Sequence, residues 1–550
     1  MKKLLTTMLA IVIMITCTAA FAEVSAPGEF PITDEKLELT VFYVPDTHVE
    51  DMETNYATQW LEEKTGIHIN WITSTVEDAA SKISLMLSSG QNLPDIFLIK
   101  NITADMINAY GMQGMVLNLD DYIDEYGFYC KDIWEKIGNS AQNVCKAADG
   151  HNYYLPRYAT STHGSCDNKM WMNYKWLENL GLQPPTTIDE FYEVLKAFKE
   201  QDANGNGDPN DEIPMAYGVN GWANQCPTFI MSSFVFWHNA STSGNTYRYI
   251  EDDGTVHVSY YEDGFREGLK FLNKLYAEGL LDQECFLLTD PQIMALAADE
   301  NGCRIGCFTG GYANSVIAAT DPQVFDYHTV EPLTGPTGLK QVASTQLNPD
   351  PRAFISADTK HPVEAFRWCE ALMQDLAGML DEGNYEWMDF FYGPEGEGWR
   401  KAEEGEMGLA GTQAAYAWLF DFGQNSNLHW FEEFPCYMPR SYKNYMAVSA
   451  AEGYDLEKVL YDETIANYDA YRAEKILPPL ALDEDQATAI SEMDATLTPF
   501  MEEYMAKFVT GVLDPNDDAA WEQYKADLQE IGIDDYIAIL QAGYDAMINA

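Results

Sequence analysis

Three short apolar runs at the start of the chain have the character of buried β-strands: 37–43 (LELTVFY), 67–71 (IHINW) and 95–99 (DIFLI). Between them lie two amphipathic segments of helical period, which end at Gly66 and Gly90. Glycine commonly follows a helix because it adopts the left-handed conformation without strain. The order strand, helix, strand, helix, strand predicts a mostly parallel sheet with helices on its faces.

Polar residues follow the predicted strands at the edge where a ligand is expected. Open α/β sheets bind ligands beyond the carboxyl ends of their strands. Asp46 follows the first strand, and Lys100 and Asn101 follow the third. We therefore predict that Asp46 and Asn101 lie at a binding cleft.

A second α/β unit is predicted further along the chain. The run KMWMN at 169–173 indicates a strand, and the helix after it ends at Gly181. Thr187 and Glu190 have the spacing of a capping box, which marks the start of another helix. From Met501 onward the pattern is helical. Its expected core positions are Trp521, Tyr524, Leu528, Tyr536 and Leu540.

The amino terminus predicts export from the cell. The chain begins with MKKLLTTMLAIVIMITCTAAFA, which has two lysines, an apolar run and small residues at Ala20 and Ala22. These are the features of a secretory signal peptide. We assign 1–22 to the signal and 23–35 to a spacer, and we expect a secreted protein at the cell surface. Cys17 offers a lipid anchor as a second route, whereas the apolar run is short for a membrane span.

Charge and cysteine content restrict the partners and the redox chemistry. The net charge is −55, and loss of Lys2 and Lys3 with the signal lowers it to −57. Such a surface repels polyanions, which argues against nucleic acid and anionic membranes as partners. The 10 cysteines lack the spacing of a disulfide scaffold, so mostly free thiols are expected, with Cys130 and Cys145 as one candidate pair.

A series of short motifs runs the length of the chain: WLEEKTGIHINW, LMLSSGQNLPDIF, DGHNYYLPRY, WLENLGLQPPTTIDEFYEVLKAFK, GLKFLNKLYAEGLLD, RIGCFTGG, FYGPEGEGWR and AKFVTG. Their order and spacing resemble the extracellular solute-binding proteins of family 1, the receptors of ABC importers. Within that family they are most similar to the LplA-like lipoprotein branch, which is related to binders of oligosaccharides.

The resemblance implies an α/β fold with the two-lobed, type II clamshell of periplasmic binding proteins. Crossing hinge strands join two lobes that close on a solute. Lobe 1 is then expected at 36–155 plus about 345–410, and lobe 2 at 156–344 plus about 411–550, with a helical C-terminal extension. The resemblance also implies a monomer without enzymatic activity that passes its ligand to ABC permease subunits in the membrane.

The implied ligand is an oligosaccharide, whose hydroxyls need polar partners and whose flat C–H faces stack on aromatic rings. Trp222 and Tyr312 follow expected strands of the second unit. Arg157 and Tyr158 lie at the expected first crossing between the lobes. Packing in the core is the alternative for each ring, and a structural ion pair is the alternative for Arg157. The predicted ligand-binding residues are Asp46, Asn101, Arg157, Tyr158, Trp222 and Tyr312.

Two other functions compete with sugar capture. A peptide or another small solute fits the same clamshell through hydrogen bonds directed at its backbone. A secreted polysaccharide-degrading enzyme needs a pair of carboxylates, which 87 acidic residues do not exclude. The sequence contains no GxSxG, HExxH, Walker or CxxC motif. We therefore expect a binding protein.

One loop has the pattern of a cation site. Residues 202–214 read DANGNGDPNDEIP, with oxygen-bearing side chains at alternate positions and Gly207 where an EF-hand loop turns sharply. Ca²⁺ binds about six to eight oxygens, which such a loop converges on one point. Family members often carry DxNxNGxxDEIP, one residue shorter, and the alternative is an Asx-rich turn without metal. The predicted ligands of a structural Ca²⁺ are Asp202, Asn204, Asn206, Asp208 through its carbonyl, and Asp211 and Glu212, of which one is bidentate.

Overall fold

The computed structural model describes the chain from residue 24 to residue 549 with short gaps. The gaps are residues 35, 101, 219–225, 238–246, 299–302, 319–320, 345–348, 421–424, 449–454, 479 and 481.

The strands of the described residues form two main sheets and two small ribbons. They are β1 (Leu37–Tyr43), β2 (Ile67–Thr73), β3 (Ile96–Leu98), β4 (Leu155–Ala159), β5 (Lys169–Asn173), β6 (Ile213–Ala216), β7 (Arg248–Ile250), β8 (Val256–Val258), β9 (Ile305–Gly310), β10 (Tyr327–Val330), β11 (Asp350–Ile355), β12 (Trp399–Lys401), β13 (Tyr416–Trp418) and β14 (Tyr437–Met438).

Helices cover both main sheets. They are α1 (Tyr56–Thr65), α2 (Val76–Ser89), α3 (Ala104–Met112), α4 (Asp120–Tyr126), α5 (Tyr129–Ile137), α6 (Asn139–Val144), α7 (Tyr174–Leu180), α8 (Ile188–Glu200), α9 (Cys226–Met231), α10 (Asp263–Ala277), α11 (Asp290–Ala297), α12 (Pro362–Ala371), α13 (Leu376–Asp381), α14 (Met388–Tyr392), α15 (Leu456–Asn467), α16 (Glu484–Val509), α17 (Asp518–Ile531) and α18 (Ile533–Asn549). None of these described helices is long and apolar enough to cross a membrane.

The first sheet has the strand order β14-β4-β11-β3-β1-β2. Its β1 pairs in parallel with both β2 and β3, as the opening pattern of the sequence predicts. Gly66 ends α1 with φ 76°, and a Cβ there would lie 2.6 Å from the carbonyl oxygen of Thr33. The chain turns tightly from helix to strand at this point because the glycine leaves room for that carbonyl.

The second sheet has the strand order β10-β5-β9-β6 and is buried on both faces. Side chains alternate along β5: Met170 and Met172 pack with the helices on one face, and Trp171 packs in a separate cluster on the other. A strand that is apolar at every position is the pattern expected of a sheet covered on both sides. The C-terminal helices complete one of these covers, and their predicted core residues are buried.

The chain crosses between the two sheets at three points. It passes from β4 to β5, from β10 to β11, and from β14 to α15. The strands β14, β4 and β11 are neighbours in the first sheet, so all three crossings lie at the same end of that sheet. This arrangement is a hinge, and the predicted two-lobed α/β fold is confirmed.

The packing places one lobe boundary later in the chain than predicted. We define lobe 1 as the residues that pack with the first sheet and lobe 2 as those that pack with the second. Residues as late as Tyr442 and Met446 belong to the first core, although lobe 2 is predicted to include the chain beyond about 410. The physical cause is β14, which pairs with β4. Lobe 2 resumes at α15, where Leu460 packs beside the second sheet.

The cysteine prediction is confirmed in part. The side chains of eight cysteines are described, and all eight are buried free thiols. The candidate disulfide between Cys130 and Cys145 is therefore wrong, since both side chains are reduced and packed in the first core. Burial raises the pKa of both thiols, which disfavours the reactive thiolate.

Candidate functional site

A charged network occupies the carboxyl ends of the strands in lobe 1. We define it by its three basic and four acidic members, which sequence analysis anticipated only in part. They are Lys100, Arg157, Arg352, Asp46, Asp350, Glu432 and Glu433. Strands β1 and β3 end at this edge, and the first hinge crossing leaves it. The network therefore lies where a sheet of this type binds ligands.

Asp46 is held in place directly after β1. Its Oδ1 accepts from the backbone N–H of His48 at 3.0 Å and lies 2.8 Å from His48 Nδ1, and its Oδ2 accepts from Lys100 Nζ at 3.4 Å. Burial opposes ionisation of this carboxyl, but the hydrogen bonds from His48 and the charge of Lys100 lower its pKa overall. Asp46 is thus an ionised acceptor at the expected edge.

Glu433 joins two of the basic residues. It lies 2.8 Å from Lys100 Nζ and 3.3 Å from Arg352, whose guanidinium also lies 2.8 Å from Asp350. Burial opposes ionisation of Glu433, but the charges of Arg352, Arg157 and Lys100 lower its pKa overall. Burial raises the pKa of Asp350 despite the same cations. A buried charged group is tolerated only when it is paired in this way.

Arg157 and Glu432 form the part of the network nearest the hinge. Arg157 Nη2 lies 3.9 Å from Glu432 Oε2, which also accepts from the Tyr442 hydroxyl at 3.3 Å. Burial raises the pKa of Glu432, while Lys443 and Arg157 oppose the rise. The predicted alternative for Arg157, an ion pair, is therefore present, and it lies inside the candidate site.

The backbone that carries Glu432 is strained. Phe431 and Glu432 have φ values of 52° and 62°, two consecutive non-glycine residues in the left-handed region. Such conformations cost about 1–3 kcal/mol each and cluster at ligand sites, where the surroundings hold them. His429 and Trp430 directly before this turn are buried in the first core. The core thus fixes the turn that presents Glu432.

Tyr312 is a residue of lobe 2 that lies near the charged network. It follows β9 and is half-buried. Burial raises its pKa to about 12, with Lys443 opposing and with Glu457 and Glu432 adding to the rise. Tyr312 of lobe 2 therefore lies within electrostatic reach of Lys443 and Glu432 of lobe 1, as expected of a ring at the boundary between the lobes.

Lys443 and Trp418 add to this boundary from lobe 1. Lys443 Nζ lies 5.0 Å from the centroid of the Trp418 ring and 3.3 Å from Glu457 on α15. The Trp418 ring also meets Tyr392 edge to face at 5.6 Å. Trp418 is half-buried, unlike Trp237 and Trp387, which are core residues. It is therefore a second ring, beside Tyr312, that a sugar could contact.

Tyr158 does not lie in the cleft. The prediction that it binds the ligand is therefore wrong, because its side chain is buried in the core. It is fully buried, and its hydroxyl accepts from Trp134 Nε1 at 3.1 Å and lies 3.3 Å from Cys145 Sγ. Adjacent residues of a strand point to opposite faces, so Arg157 and Tyr158 of β4 cannot both face the cleft. Two further predicted residues, Asn101 and Trp222, lie outside the described residues.

The predicted cation loop lies between α8 and β6 and forms a compact turn. The two carboxylate oxygens of Asp211 accept from the side-chain amides of Asn204 and Asn206 at 3.1 and 2.7 Å. Asp202 accepts from the backbone N–H of Gly207, and the side chain of Asp208 accepts from Asn210. These bonds are those of the Asx-rich alternative.

Two oxygens of this loop nevertheless lack a partner. Glu212 Oε1 accepts from the backbone N–H groups of Ala203 and Asn204, at 2.8 and 3.4 Å, but Oε2 is buried without a hydrogen bond, as is Asp202 Oδ1. Burial raises the pKa of Glu212, and the charge of Asp211 adds to this rise. Two buried carboxylate oxygens without a hydrogen-bond partner fit a divalent cation. Among the described residues, including this loop, no group of three His, Cys, Asp or Glu side chains is arranged to bind a metal ion.

No sequence pattern identifies Arg352, Glu432, Glu433 or Lys443 as site residues. The acidic pair in HWFEEFP is unremarkable among 87 acidic residues. Only its position after a run of aromatic residues could have drawn attention to it. Strand pairing and the hinge crossings place these residues near Asp46 and Arg157, which are distant from them in sequence.

Known proteins resemble the chain in both sequence and fold. Residues 49–284 match the family described as bacterial extracellular solute-binding protein. A fructooligosaccharide ABC transporter substrate-binding protein, FusA of Streptococcus pneumoniae, is 26% identical over 94% of this chain and 91% of its own length. The polygalacturonan/rhamnogalacturonan-binding protein YtcQ of Bacillus subtilis is 24% identical over 62% of each chain.

The solved structures agree with the fold. The structure of an S. pneumoniae FusA EF-hand mutant in complex with fructo-nystose has a TM-score of 0.74 and 23% identity, and it covers 94% of this chain and 100% of its own. The resemblance found in the sequence motifs is therefore confirmed. These relatives are named as binding proteins, which agrees with the expectation of a protein without enzymatic activity.

Proposed function

We propose, from the match of residues 49–284 to the bacterial extracellular solute-binding family, that the chain is the receptor of an ABC importer. It captures an oligosaccharide between its two lobes and delivers it to the membrane permease. The observation that supports this most is the near full-length relation to a fructooligosaccharide-binding receptor, over 94% of this chain and 91% of the other.

The hinge supplies the mechanism. Three chain crossings at neighbouring strands allow the lobes to rotate about one end of the first sheet. Arg157 and Glu432 approach the ligand from lobe 1, and Tyr312 approaches it from lobe 2. A ligand that contacts both lobes does so only in the closed state, so its binding shifts the population toward closure. The closed shape is then what the permease recognises.

Calcium is the structural cofactor of this proposal. Asp202, Asn204, Asn206, Asp211 and Glu212 would hold it together with the Asp208 carbonyl. The buried, unpartnered oxygens of Asp202 and Glu212 support this assignment. A relative of the same fold is described as having an EF-hand. The ion would tie the end of α8 to β6, which stabilises lobe 2.

Export follows from the amino terminus. We propose that residues 1–22 are a signal peptide and that the mature receptor acts at the cell surface as a monomer. Lipidation of Cys17 is the alternative to cleavage after Ala22. Mass spectrometry of the native protein distinguishes these, because a chain that begins at residue 23 carries no lipid.

A thermal-shift screen of residues 23–550 tests the function. The screen compares neutral and acidic oligosaccharides with short peptides of similar mass. A ligand that binds only the folded chain raises the melting temperature. A rise with oligosaccharides alone supports the proposal, whereas a rise with peptides alone replaces it by peptide capture. Hydrolysis of an oligosaccharide during incubation would replace it by an enzyme.

A further inference from the structure

The pair Arg157 and Glu432 holds hydrogen-bonding capacity that the protein does not use. Glu432 is 7% exposed, and its Oε1 is buried without a partner. Arg157 Nε is likewise buried without a hydrogen bond. Buried polar atoms are almost always satisfied, so each such atom needs an explanation. One unused acceptor and one unused donor lie on two residues of the same ion pair.

The strained backbone at Glu432 indicates that the Arg157–Glu432 pair does more than stabilise the fold. An ion pair could form without two consecutive left-handed residues, yet Phe431 and Glu432 both adopt that conformation. Natural proteins retain such strain mainly where it positions a functional group. The Tyr442 hydroxyl and Arg157 hold one carboxylate oxygen of Glu432, which leaves the other oxygen free to accept.

The charges at the cleft point to the chemistry of the ligand. Within the described part of the network every cation already has a carboxylate partner. Lys100 lies beside Asp46 and Glu433, Arg352 beside Asp350 and Glu433, and Arg157 beside Glu432. Four carboxylates face three cations, so no positive charge is left over for an anionic ligand. Lys443 is paired too, with Glu457.

A sugar hydroxyl matches both unused atoms, whereas a uronate carboxylate matches only the Arg157 donor and leaves the Glu432 acceptor without a partner. A hydroxyl donates one hydrogen bond and accepts others, so it serves Glu432 and Arg157 together. A carboxylate only accepts, and Glu432 would repel it at close range in a partly buried site. Discrimination by an unpaired like charge is a common route to specificity.

We propose that the cleft selects an uncharged oligosaccharide over a uronate-rich one, and that Glu432 and Arg157 are the residues that read its hydroxyls. This inference rests on the proposed function and narrows it. The relatives leave the choice open, since one is named for fructooligosaccharides and the other for polygalacturonan and rhamnogalacturonan. The pairing of charges in this chain favours the uncharged oligosaccharide over the uronate-rich one.

Calorimetric titration of the wild-type chain, residues 23–550, makes the first test without any substitution. The neutral probes are kestose, maltotriose, xylotriose and mannotriose, and the acidic probes are trigalacturonate and trimannuronate. The tightest neutral probe should bind at least about tenfold more tightly than either acid, which corresponds to about 1.4 kcal/mol. Tighter binding of an acidic probe would overturn the inference and leave the solute-binding function intact. Failure of all six, with melting raised by peptides, would overturn both.

Glu432→Gln tests the assigned residue. The glutamine keeps the size and one oxygen but loses the charge, so affinity for the neutral probe should fall about tenfold, as for a lost charge-assisted hydrogen bond. The ratio of neutral to acidic affinity should fall as well. Glu178→Gln, an exposed carboxylate on α7, removes the same charge away from the cleft and should change neither value. An unchanged ratio in Glu432→Gln, with an unchanged melting temperature as proof of folding, would exclude Glu432 from this role.

Discussion

Lys443 Nζ lies 3.3 Å from both carboxylate oxygens of Glu457, and this ion pair links the last segment of lobe 1 to the first helix of the returning lobe 2. His163 Nε2, in the first hinge crossing, lies 2.9 Å from the same carboxylate. The pair therefore connects two of the three crossings. It is also close enough to Tyr312 to affect that residue's pKa.

The Lys443–Glu457 pair should contribute to stability in a pH-dependent way. Burial opposes ionisation of Glu457, but Lys443 and His163 lower its pKa from 4.5 to about 2. A carboxyl with a depressed folded pKa stabilises the fold above its unfolded pKa, and that contribution is lost as the pH falls toward the folded value.

Glu457→Gln should therefore lower the free energy of unfolding at pH 7 by about 3 kcal/mol or more, because it leaves the Lys443 charge buried without its partner. The difference from wild type should shrink as the pH falls below about 4.5. Urea unfolding at pH 7, 4 and 3 measures this. Asp462→Asn, which removes an exposed carboxylate of the same helix α15, is the control for helix charge. A difference that stays constant over this range would contradict the assignment.

Calcium should raise the melting temperature of the mature chain by a few degrees, and chelation by EGTA should reverse the rise. The reason is linkage: an ion bound only by the folded state stabilises it, by about 2.7 kcal/mol at a hundred times its Kd. Differential scanning fluorimetry with and without Ca²⁺ measures the shift.

Two substitutions decide which carboxylate binds Ca²⁺ in a bidentate manner. Asp211→Asn and Glu212→Gln each remove one charge, and loss of the bidentate ligand should abolish the calcium shift while the other variant keeps a weaker one. Glu193→Gln, exposed on α8, is the matched control. If both loop variants respond to calcium like wild type, the Asx-turn alternative holds and the ion has no place there.

Tyr312→Ala should weaken oligosaccharide binding by about 1–3 kcal/mol, because it removes an aromatic contact from lobe 2. Tyr312→Phe keeps the ring and should retain most of the affinity. Tyr276→Ala, a half-buried tyrosine of α10 outside the network, serves as control. Equal affinity of Tyr312→Ala and wild type in calorimetry would place the ring outside the contact surface.

Tyr158→Phe should reduce stability without changing ligand affinity. The substitution leaves the buried Trp134 N–H without its acceptor, which costs about 1–3 kcal/mol. Urea unfolding and calorimetry on the same variant separate the two effects. Weaker ligand binding with unchanged stability would return Tyr158 to the cleft and contradict its position in the core.

Much of lobe 1 could be predicted from local sequence. The strands β1 and β2, the helices α1 and α2 and their ends at Gly66 and Gly90 follow from apolar period and from glycine at helix ends. The boundary of the lobes near 410 could not, because strand β14 has only two residues and its partner β4 lies far away in sequence. Local pattern carries no information on such a pairing.

By itself, the sequence determined the α/β class, the parallel pairing of the first βαβαβ unit and the resemblance to solute-binding proteins, since each is written in neighbouring residues or in the order of motifs. Tertiary structure alone decided which charged residues form the site. Arg157 meets Glu432, and Asp46 meets Lys100 and Glu433, because three hinge crossings bring distant loops to one sheet edge. The Coulomb energy of a pair depends on distance in space and on burial, and neither quantity can be inferred from separation along the chain.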